Sequence, residues 1–402
     1  MTTRNQKNET RLLDLYYKKT ATANWAGKSA AFDIPLTGFS SYQLDHGTLR
    51  LLRQIDAEKP AYDQALDLGC GYGPISIFLS VTRSAAQVTG IDRDALAVAF
   101  ARRNAEKNGL ANCEFLGGLA YTDLPPAKKY DAIISNIPAK AGEPVHREML
   151  LGASRHLNPQ GQVWIVVVTP LEAEIDNILA DKAVNITKKV RQEGHIIYRY
   201  KFRKPVPAAP WPYGRKTTTF KWQKCAYQID AAFGLPEFDS LSWDTELIFK
   251  FLDDRKTRLR FNRIVVCDPG QGHIPVFLHR LTNAVKEINL ISRDALTLRQ
   301  TALNLQANGF PAAVNPYHTV AFTNPQIAAD IDLCVGVLDD KEGLEINVEK
   351  INQAWAAYPS ATFAWACPIT FGQRLAAALR KSNVPANLTR RHKHNCLIQC
   401  EG

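Results

Sequence analysis

Ala65-Leu66-Asp67-Leu68-Gly69-Cys70-Gly71-Tyr72-Gly73-Pro74-Ile75 is the stretch whose reading decides the fold. An apolar strand runs into three glycines at alternate positions and then into Ile75–Val81, which reads as a helix. Glycines at Gly69, Gly71 and Gly73 let the backbone turn sharply where a side chain would collide with a bound ligand. The spacing Asp-x-Gly-x-Gly-x-Gly differs from the Gly-x-Gly-x-x-Gly of pyrophosphate-binding turns, and a carboxylate two residues before the first glycine would repel a pyrophosphate. Asp67 therefore points to a nucleotide cofactor with a cationic portion.

Working outward, Gln87–Asp92 reads as a second strand ending in an acid, 25 positions beyond Asp67. At the carboxyl end of strand two in a doubly wound sheet, Asp92 would face ribose hydroxyls and accept hydrogen bonds from them. A helix follows from Asp94 and closes at Asn108-Gly109. Cys113–Leu116 and Tyr130–Ser135 read as strands three and four, the latter delivering Asn136-Ile137-Pro138-Ala139-Lys140-Ala141-Gly142 where ligands of open α/β sheets sit. Helices over Glu143–His156 and Leu171–Ala180, a strand to Val168 and an alternating pair to Phe202 complete the domain.

These motifs are similar to those of the class I S-adenosylmethionine-dependent methyltransferases, and Leu44-Asp45-His46-Gly47-Thr48 and Leu157-Asn158-Pro159-Gln160-Gly161 narrow the resemblance to their small-domain family. The resemblance implies a Rossmann-like seven-stranded mixed sheet and S-adenosylmethionine as cofactor. It assigns Asp67, Gly69, Gly71 and Gly73 to the methionine part and Asp92 to the ribose. In relatives acting on planar amines the acceptor motif is Asn-Pro-Pro-aromatic. Here Asn136 and Pro138 match and are the expected catalytic pair, while Ile137 and Ala139 depart from it. Ala139 removes the ring that would stack on a base, so Tyr42 and Tyr72 are candidates to replace it, and Lys140 is a candidate substrate contact.

The chain also repeats itself at a shift of about 200 residues. The glycine loop meets Val265-Val266-Cys267-Asp268-Pro269-Gly270-Gln271-Gly272, Arg93-Asp94-Ala95-Leu96 meets Arg293-Asp294-Ala295-Leu296, and Phe32–Pro35 meets Phe233–Pro236. Asp92 becomes Ser292, and Asn136-Ile137-Pro138 becomes Val337-Leu338-Asp339. The reading is two tandem α/β domains: a catalytic domain over 1–202 with its N-terminal lead-in, a proline-rich basic linker over 203–224, and a degenerate, non-catalytic domain over 225–402. Tandem pairs of this kind resemble ribosomal RNA guanine-N2 methyltransferases, although in those relatives the second copy is the active one.

Composition bounds the alternatives. In 402 residues, 46% hydrophobic and 22% charged, no apolar run reaches the length of a membrane span, and Met1–Lys7 lacks the apolar core of a signal peptide, so a cytoplasmic location is expected. The formal charge of +10 suits an anionic partner, structured RNA above all, and a monomer is favoured. Eight dispersed cysteines are expected as free thiols; His392, His394, Cys396 and Cys400 alternate as a strand does, and no metal site is expected. Two other functions remain open at this level: methyl transfer to a small molecule or protein, and a non-enzymatic RNA-binding or assembly role that retains cofactor affinity.

Overall fold

The computed structural model describes residues 3–25, 27–38, 44–257, 261–282 and 284–401. The chain opens with helix α1 (Thr3–Tyr16) and the hairpin β1 (Tyr17–Trp25) and β2 (Lys28–Pro35). Then come α2 (His46–Glu58), β3 (Gln64–Leu68), α3 (Pro74–Thr82), β4 (Gln87–Asp92), α4 (Ala95–Lys107), β5 (Cys113–Gly117) and β6 (Tyr130–Asn136). This half closes with α5 (Glu143–Leu151), β7 (Leu157–Val168), α6 (Glu172–Leu179), β8 (Val184–Gln192) and β9 (His195–Phe202).

The second half repeats the pattern: a hairpin of β10 (Gly214–Trp222) and β11 (Cys225–Ala232), then α7 (Trp243–Arg255), β12 (Arg263–Cys267), α8 (His273–Leu281), β13 (Glu287–Ser292) and α9 (Ala295–Ala307). It ends with β14 (Ala313–His318), β15 (Leu333–Val337), α10 (Leu344–Ala357), β16 (Thr362–Pro368), α11 (Ile369–Lys381), β17 (Ala386–His392) and β18 (Asn395–Cys400).

Each half forms one seven-stranded mixed sheet, ordered β5-β4-β3-β6-β7-β9-β8 and β14-β13-β12-β15-β16-β18-β17. The first five strands of each order pair in parallel and the last two join antiparallel. The tandem Rossmann-like reading of the sequence is borne out. Central strands covered on both faces read as unbroken apolar runs, as Ala132–Ile134 do in one half and Ile264–Cys267 in the other.

Three boundaries differ from the sequence reading. The compact units are Tyr17–Tyr213 and, together, Met1–Tyr16 with Gly214–Gly402, so the N-terminal lead-in groups with the second half. Its residues Asn8–Thr20 carry apolar and basic side chains at roughly helical spacing, but the helix stops at Tyr16, because Tyr17, Lys19 and Thr20 pair with β2. Within the expected linker, Gly214–Trp222 is a strand paired antiparallel with β11; only 203–213 connect. The repeat register shifts accordingly. Asn104 Oδ1 and Asn108 Oδ1 accept from Asp33 N and Ala31 N, while Asn304 and Asn308 accept from Asp230 and Gln228. Phe32–Pro35 therefore correspond to Ile229–Ala232 on β11, and the match with Phe233–Pro236 fails.

Asn104 also positions the site. It is fully buried, and its Nδ2 donates to Asp33 O at 3.0 Å and Tyr72 O at 2.9 Å, tying the hairpin to the glycine loop. Removing the amide would orphan three buried backbone groups, each at a cost of about 1–3 kcal/mol.

Candidate active site

The carboxyl ends of β4, β3 and β6 lie side by side, with Leu68 opposite Ile91 and Asp67 opposite Ile134. Parallel pairing thus brings three sequence-distant motifs to one edge. A cavity of about 260 Å³ opens there, walled by Gly69, Gly71, Asp92, Asn136 and Pro138 among others.

Gly69 and Gly71 adopt φ of +79° and +56°, and a Cβ built on either would meet nothing within 4 Å. The loop therefore presents bare backbone to open space, a cradle that side chains would fill. Gly73 serves packing instead, since at φ +94° it caps α3, and a Cβ there would lie 3.3 Å from Ala101 Cβ, so it permits close helix packing. Gly69 N and Cys70 N both donate to Ile91 O, at 2.9 and 3.0 Å, which fixes the loop to β4.

Asp92 is anchored by backbone. Its Oδ2 accepts from Gly71 N at 2.8 Å and its Oδ1 from Asp94 N at 2.9 Å, leaving a lone pair on each oxygen at the cavity wall. Burial raises its pKa to about 6, against the opposing pull of those two N–H groups.

Asp67 is placed differently from the sequence expectation. It is fully buried beneath the loop, outside the residues that line the cavity, and its Oδ2 accepts from Ser76 N at 2.9 Å and Ser76 Oγ at 2.7 Å. Its Oδ1 is buried with no partner among the described residues. Burial raises this carboxyl to about 7, with the two Ser76 bonds opposing and the Asp92 charge adding. Asp67 thus underpins the loop from below.

Asn136 ends β6. Its Nδ2 donates to Asp45 Oδ2 at 2.8 Å and Thr48 Oγ1 at 2.9 Å, and Asp45 Oδ2 also caps α2 by accepting from Thr48 N at 2.8 Å. A carboxylate only accepts, so the amide is oriented with its NH₂ toward Asp45 and its Oδ1 left as an acceptor. The Asp45 that caps α2 is the same group that orients Asn136.

The next turn carries a pair that the sequence reading passed over. Pro138 O lies 2.8 Å from Nε2 of the buried His146, whose Nδ1 meets Glu174 Oε1 at 2.5 Å. A carbonyl only accepts, so Nε2–H donates to it, while Nδ1 hydrogen-bonds Glu174. No motif announces this pair, because His146 and Glu174 stand on α5 and α6 and meet only in the fold.

Of the other expected residues, Tyr72 lies on the wall, almost fully buried. Lys140 is exposed and is not part of the wall. Tyr42 lies outside the described residues. Cys396 faces Cys367, with sulfurs 4.0 Å apart, and all eight cysteines are free thiols. No helix among the described residues is long and apolar enough to cross a membrane.

A glycine cradle, an anchored acid and an oriented amide on adjacent strand ends of a doubly wound sheet define a class I methyltransferase fold. Residues 35–199 match the methyltransferase small domain family, and the chain belongs to that family. It is 30% identical over 150 residues to the uncharacterized protein YbxB of Bacillus subtilis, covering 37% of this chain and 74% of that protein. Ribosomal RNA large subunit methyltransferase G of Streptomyces avermitilis is 31% identical over 132 residues, 32% of this chain and 34% of that protein. Ribosomal RNA small subunit methyltransferase C of Pasteurella multocida is 35% identical over 132 residues, 32% of this chain and 39% of that protein. The match thus spans little more than a third of these two curated relatives. In fold, the chain superposes on the Thermus thermophilus 16S rRNA N2 methyltransferase RsmC, solved with AdoMet and guanosine, with a TM-score of 0.68 at 17% identity over 96% of this chain and 98% of that one.

Proposed function

We propose that this chain is an S-adenosylmethionine-dependent methyltransferase that methylates an amino nitrogen of a nucleobase in ribosomal RNA. The observation that carries the reading is Asn136, whose NH₂ is held by Asp45 and Thr48 on the wall it shares with the glycine cradle and Asp92. The small-domain family and its ribosomal RNA relatives support the choice of acceptor.

S-adenosylmethionine supplies a methyl group on a sulfonium, open to in-line displacement. The residues of this chain bind and orient. Gly69 and Gly71 admit the cofactor against bare backbone, the anchored Asp92 carboxylate accepts from the ribose hydroxyls, and Asp67 and Gly73 shape the loop from behind. Asn136 Oδ1 accepts an N–H from the acceptor amine, aiming the nitrogen lone pair, while His146 and Glu174 hold the Pro138 carbonyl and with it the turn. Such alignment supplies about 7–11 kcal/mol in well-oriented intramolecular reactions, so no acid–base residue is required for the transfer itself. Lys140, exposed two residues beyond Pro138, is a proposed contact to the RNA.

The test is incubation of the purified chain with methyl-labelled cofactor and separated pools of RNA, protein and metabolites from cells lacking it. Label in ribosomal RNA, recovered as an N-methylated purine, is the expected result. Label only in the protein or metabolite pool would overturn the RNA assignment, and would follow from Ala139, which leaves the exposed turn without a stacking ring.

A further inference from the structure

The strand registers fix which residues of the second unit stand where the cavity wall stands in the first. Cys267 pairs with Ile291 as Leu68 pairs with Ile91, and Val266 with Val335 as Asp67 with Ile134. Asp268 and Ser292 therefore replace Gly69 and Asp92. Gly343 precedes α10 at φ +97° as Gly142 precedes α5 at φ +94°. Glu342 and Lys350 thereby replace Ala141 and Met149, both on the first unit's wall.

These replacements do not stand apart from one another. Lys350 Nζ donates to Glu342 Oε2 at 2.6 Å, Arg293 Nη1 donates to Glu342 Oε1 at 3.0 Å, and Ser292 Oγ donates to Asp268 Oδ1 at 2.7 Å. Glu342 Oε1 also accepts from the hydroxyl of Tyr16 at 2.7 Å. Tyr16, Glu342 and Lys350 are 0%, 7% and 1% exposed. Asp268 holds a left-handed φ of +47°, the conformation for which the first unit uses glycine. Its Cβ takes up the side that Gly69 leaves open.

Tyr16 is the last residue of α1, a helix that has no counterpart at the head of the other copy. The hairpins align Tyr17–Trp25 with Gly214–Trp222, as the paired bonds of Thr20 to Asp33 and Thr217 to Asp230 show. The helix lies along α10, with Arg11 3.0 Å from Glu349 and Asn8 O accepting from Gln353 at 3.2 Å.

We propose that the second unit has converted its counterpart of the cofactor cavity into a socket for the chain's own N-terminal helix, with Tyr16 as the plug and Glu342, Lys350 and Arg293 as its seat. The unit consequently takes no cofactor, and its stability depends on α1. An ion cluster this buried is strongly destabilised when one partner is removed, so plug and seat hold together. The comparison of the two units rests on reading the first cavity as the cofactor site.

Two measurements on the full chain separate that reading from the socket. Calorimetric titration with S-adenosylmethionine is expected to give one site per chain. Two sites would overturn the socket, whereas none would overturn the cofactor reading of the first unit and leave the second measurement to decide the socket. In that measurement, pulse-labelled hydrogen exchange across a urea series follows β12, β13 and β15 separately from β3, β4 and β6. Tyr16→Ala is expected to lower the urea midpoint of the second set by on the order of 1 M and leave the first unchanged. Tyr16→Phe, which keeps the ring and loses only the bond to Glu342, is expected to shift it in the same direction by less, and serves if the alanine variant does not fold. An unmoved second set, or an equal fall in both, would overturn the socket.

Discussion

Asp92 offers the sharpest test of the proposed cofactor site, because its two anchors determine what a substitution does. Each carboxylate oxygen already accepts one backbone N–H, from Gly71 or from Asp94. In Asp92→Asn one of those oxygens becomes an NH₂ that faces a donor, and a buried N–H left unpaired costs about 1–3 kcal/mol. The ribose hydroxyls also lose a charged acceptor, each such bond being worth about 1.5–3 kcal/mol. A loss of about 3 kcal/mol or more in binding corresponds to a hundredfold or greater rise in Kd. The wild-type chain carries an independent signature. With a pKa raised to about 6, the carboxyl is mostly ionised at pH 7 and mostly protonated at pH 5, so affinity should fall about tenfold between them. Stability runs the other way. A carboxyl raised above its unfolded value of 3.8 binds its proton more tightly in the native state, so its contribution to stability is lost as pH rises through about 6. Titration calorimetry with S-adenosylmethionine from pH 5 to 8 measures the affinity, and urea unfolding over the same range measures the stability. Affinity that is flat across this range, or an Asp92→Asn variant within threefold of wild type, would refute the assignment.

Asp67→Asn tests the buried carboxyl beneath the loop. With its pKa raised to about 7, ionisation between pH 5 and 8 should cost the wild-type chain about 2–3 kcal/mol that the variant does not lose, so the urea midpoint of β3 and β4 protection should shift in the variant's favour as pH rises; a shift in the wild type's favour contradicts it. Asn136→Ala should leave cofactor affinity within a fewfold of wild type while methyl transfer falls about a hundredfold, the scale on which removal of one oriented hydrogen-bonding group slows catalysis; a parallel collapse of binding would show that Asn136 acts on the cofactor. His146→Asn introduces the residue that stands at this position in the second unit, where Asn347 Nδ2 reaches Asp339 O at 3.0 Å. Asparagine keeps a donor near the turn but loses the hydrogen bond to Glu174, a loss of about 1 kcal/mol, so folding should survive and turnover should fall about fivefold to tenfold at unchanged cofactor affinity; undiminished turnover would reduce His146 to packing.

What the sequence revealed and what it hid follow from the range of the interactions. The glycine loop, Asp92 and Asn136 were legible because each sits at the end of an apolar run and the parallel topology does the rest. Asp67 was misplaced because the spacing fixes where its backbone lies but not which way its carboxyl turns, and the Ser76 that captures it belongs to the helix beyond the glycines. The Glu174–His146–Pro138 chain and the Tyr16–Glu342 bond join positions with no local signal, the latter 326 residues apart. The hairpins did leave a trace. Tyr17-Lys18-Lys19-Thr20-Ala21-Thr22-Ala23-Asn24-Trp25 and Gly214-Arg215-Lys216-Thr217-Thr218-Thr219-Phe220-Lys221-Trp222 are versions of one strand, offset by 197 positions. The glycine loops are offset by 199 and the fourth strands by 201, so a single fixed shift blurs the match. Basic residues and nearby prolines then made the second version look like a linker.

The same internal comparison shows where the two copies parted. Bonds that build the scaffold persist: Asp131 Oδ2 accepts from the N–H groups of Asp63 and Gln64 at the foot of the first sheet, and Asp332 Oδ2 accepts from those of Asn262 and Arg263 at the foot of the second. Asn104 and Asn304 both tie their hairpin to their glycine loop, through Tyr72 O and Gln271 O. The divergence is concentrated at the opposite edge, where Gly69, Asp92 and Asn136 give way to Asp268, Ser292 and Val337. Had these wall positions changed without constraint, they would be expected to fill with apolar side chains, since burying a charge is costly without a partner. Instead Glu342 accepts from Lys350, Arg293 and Tyr16, and Asp268 accepts from Ser292. Arg293 is common to both copies, standing as Arg93 in the first, so the charges introduced at this wall are Glu342, Lys350 and Asp268, and each comes with a partner that makes its burial tolerable.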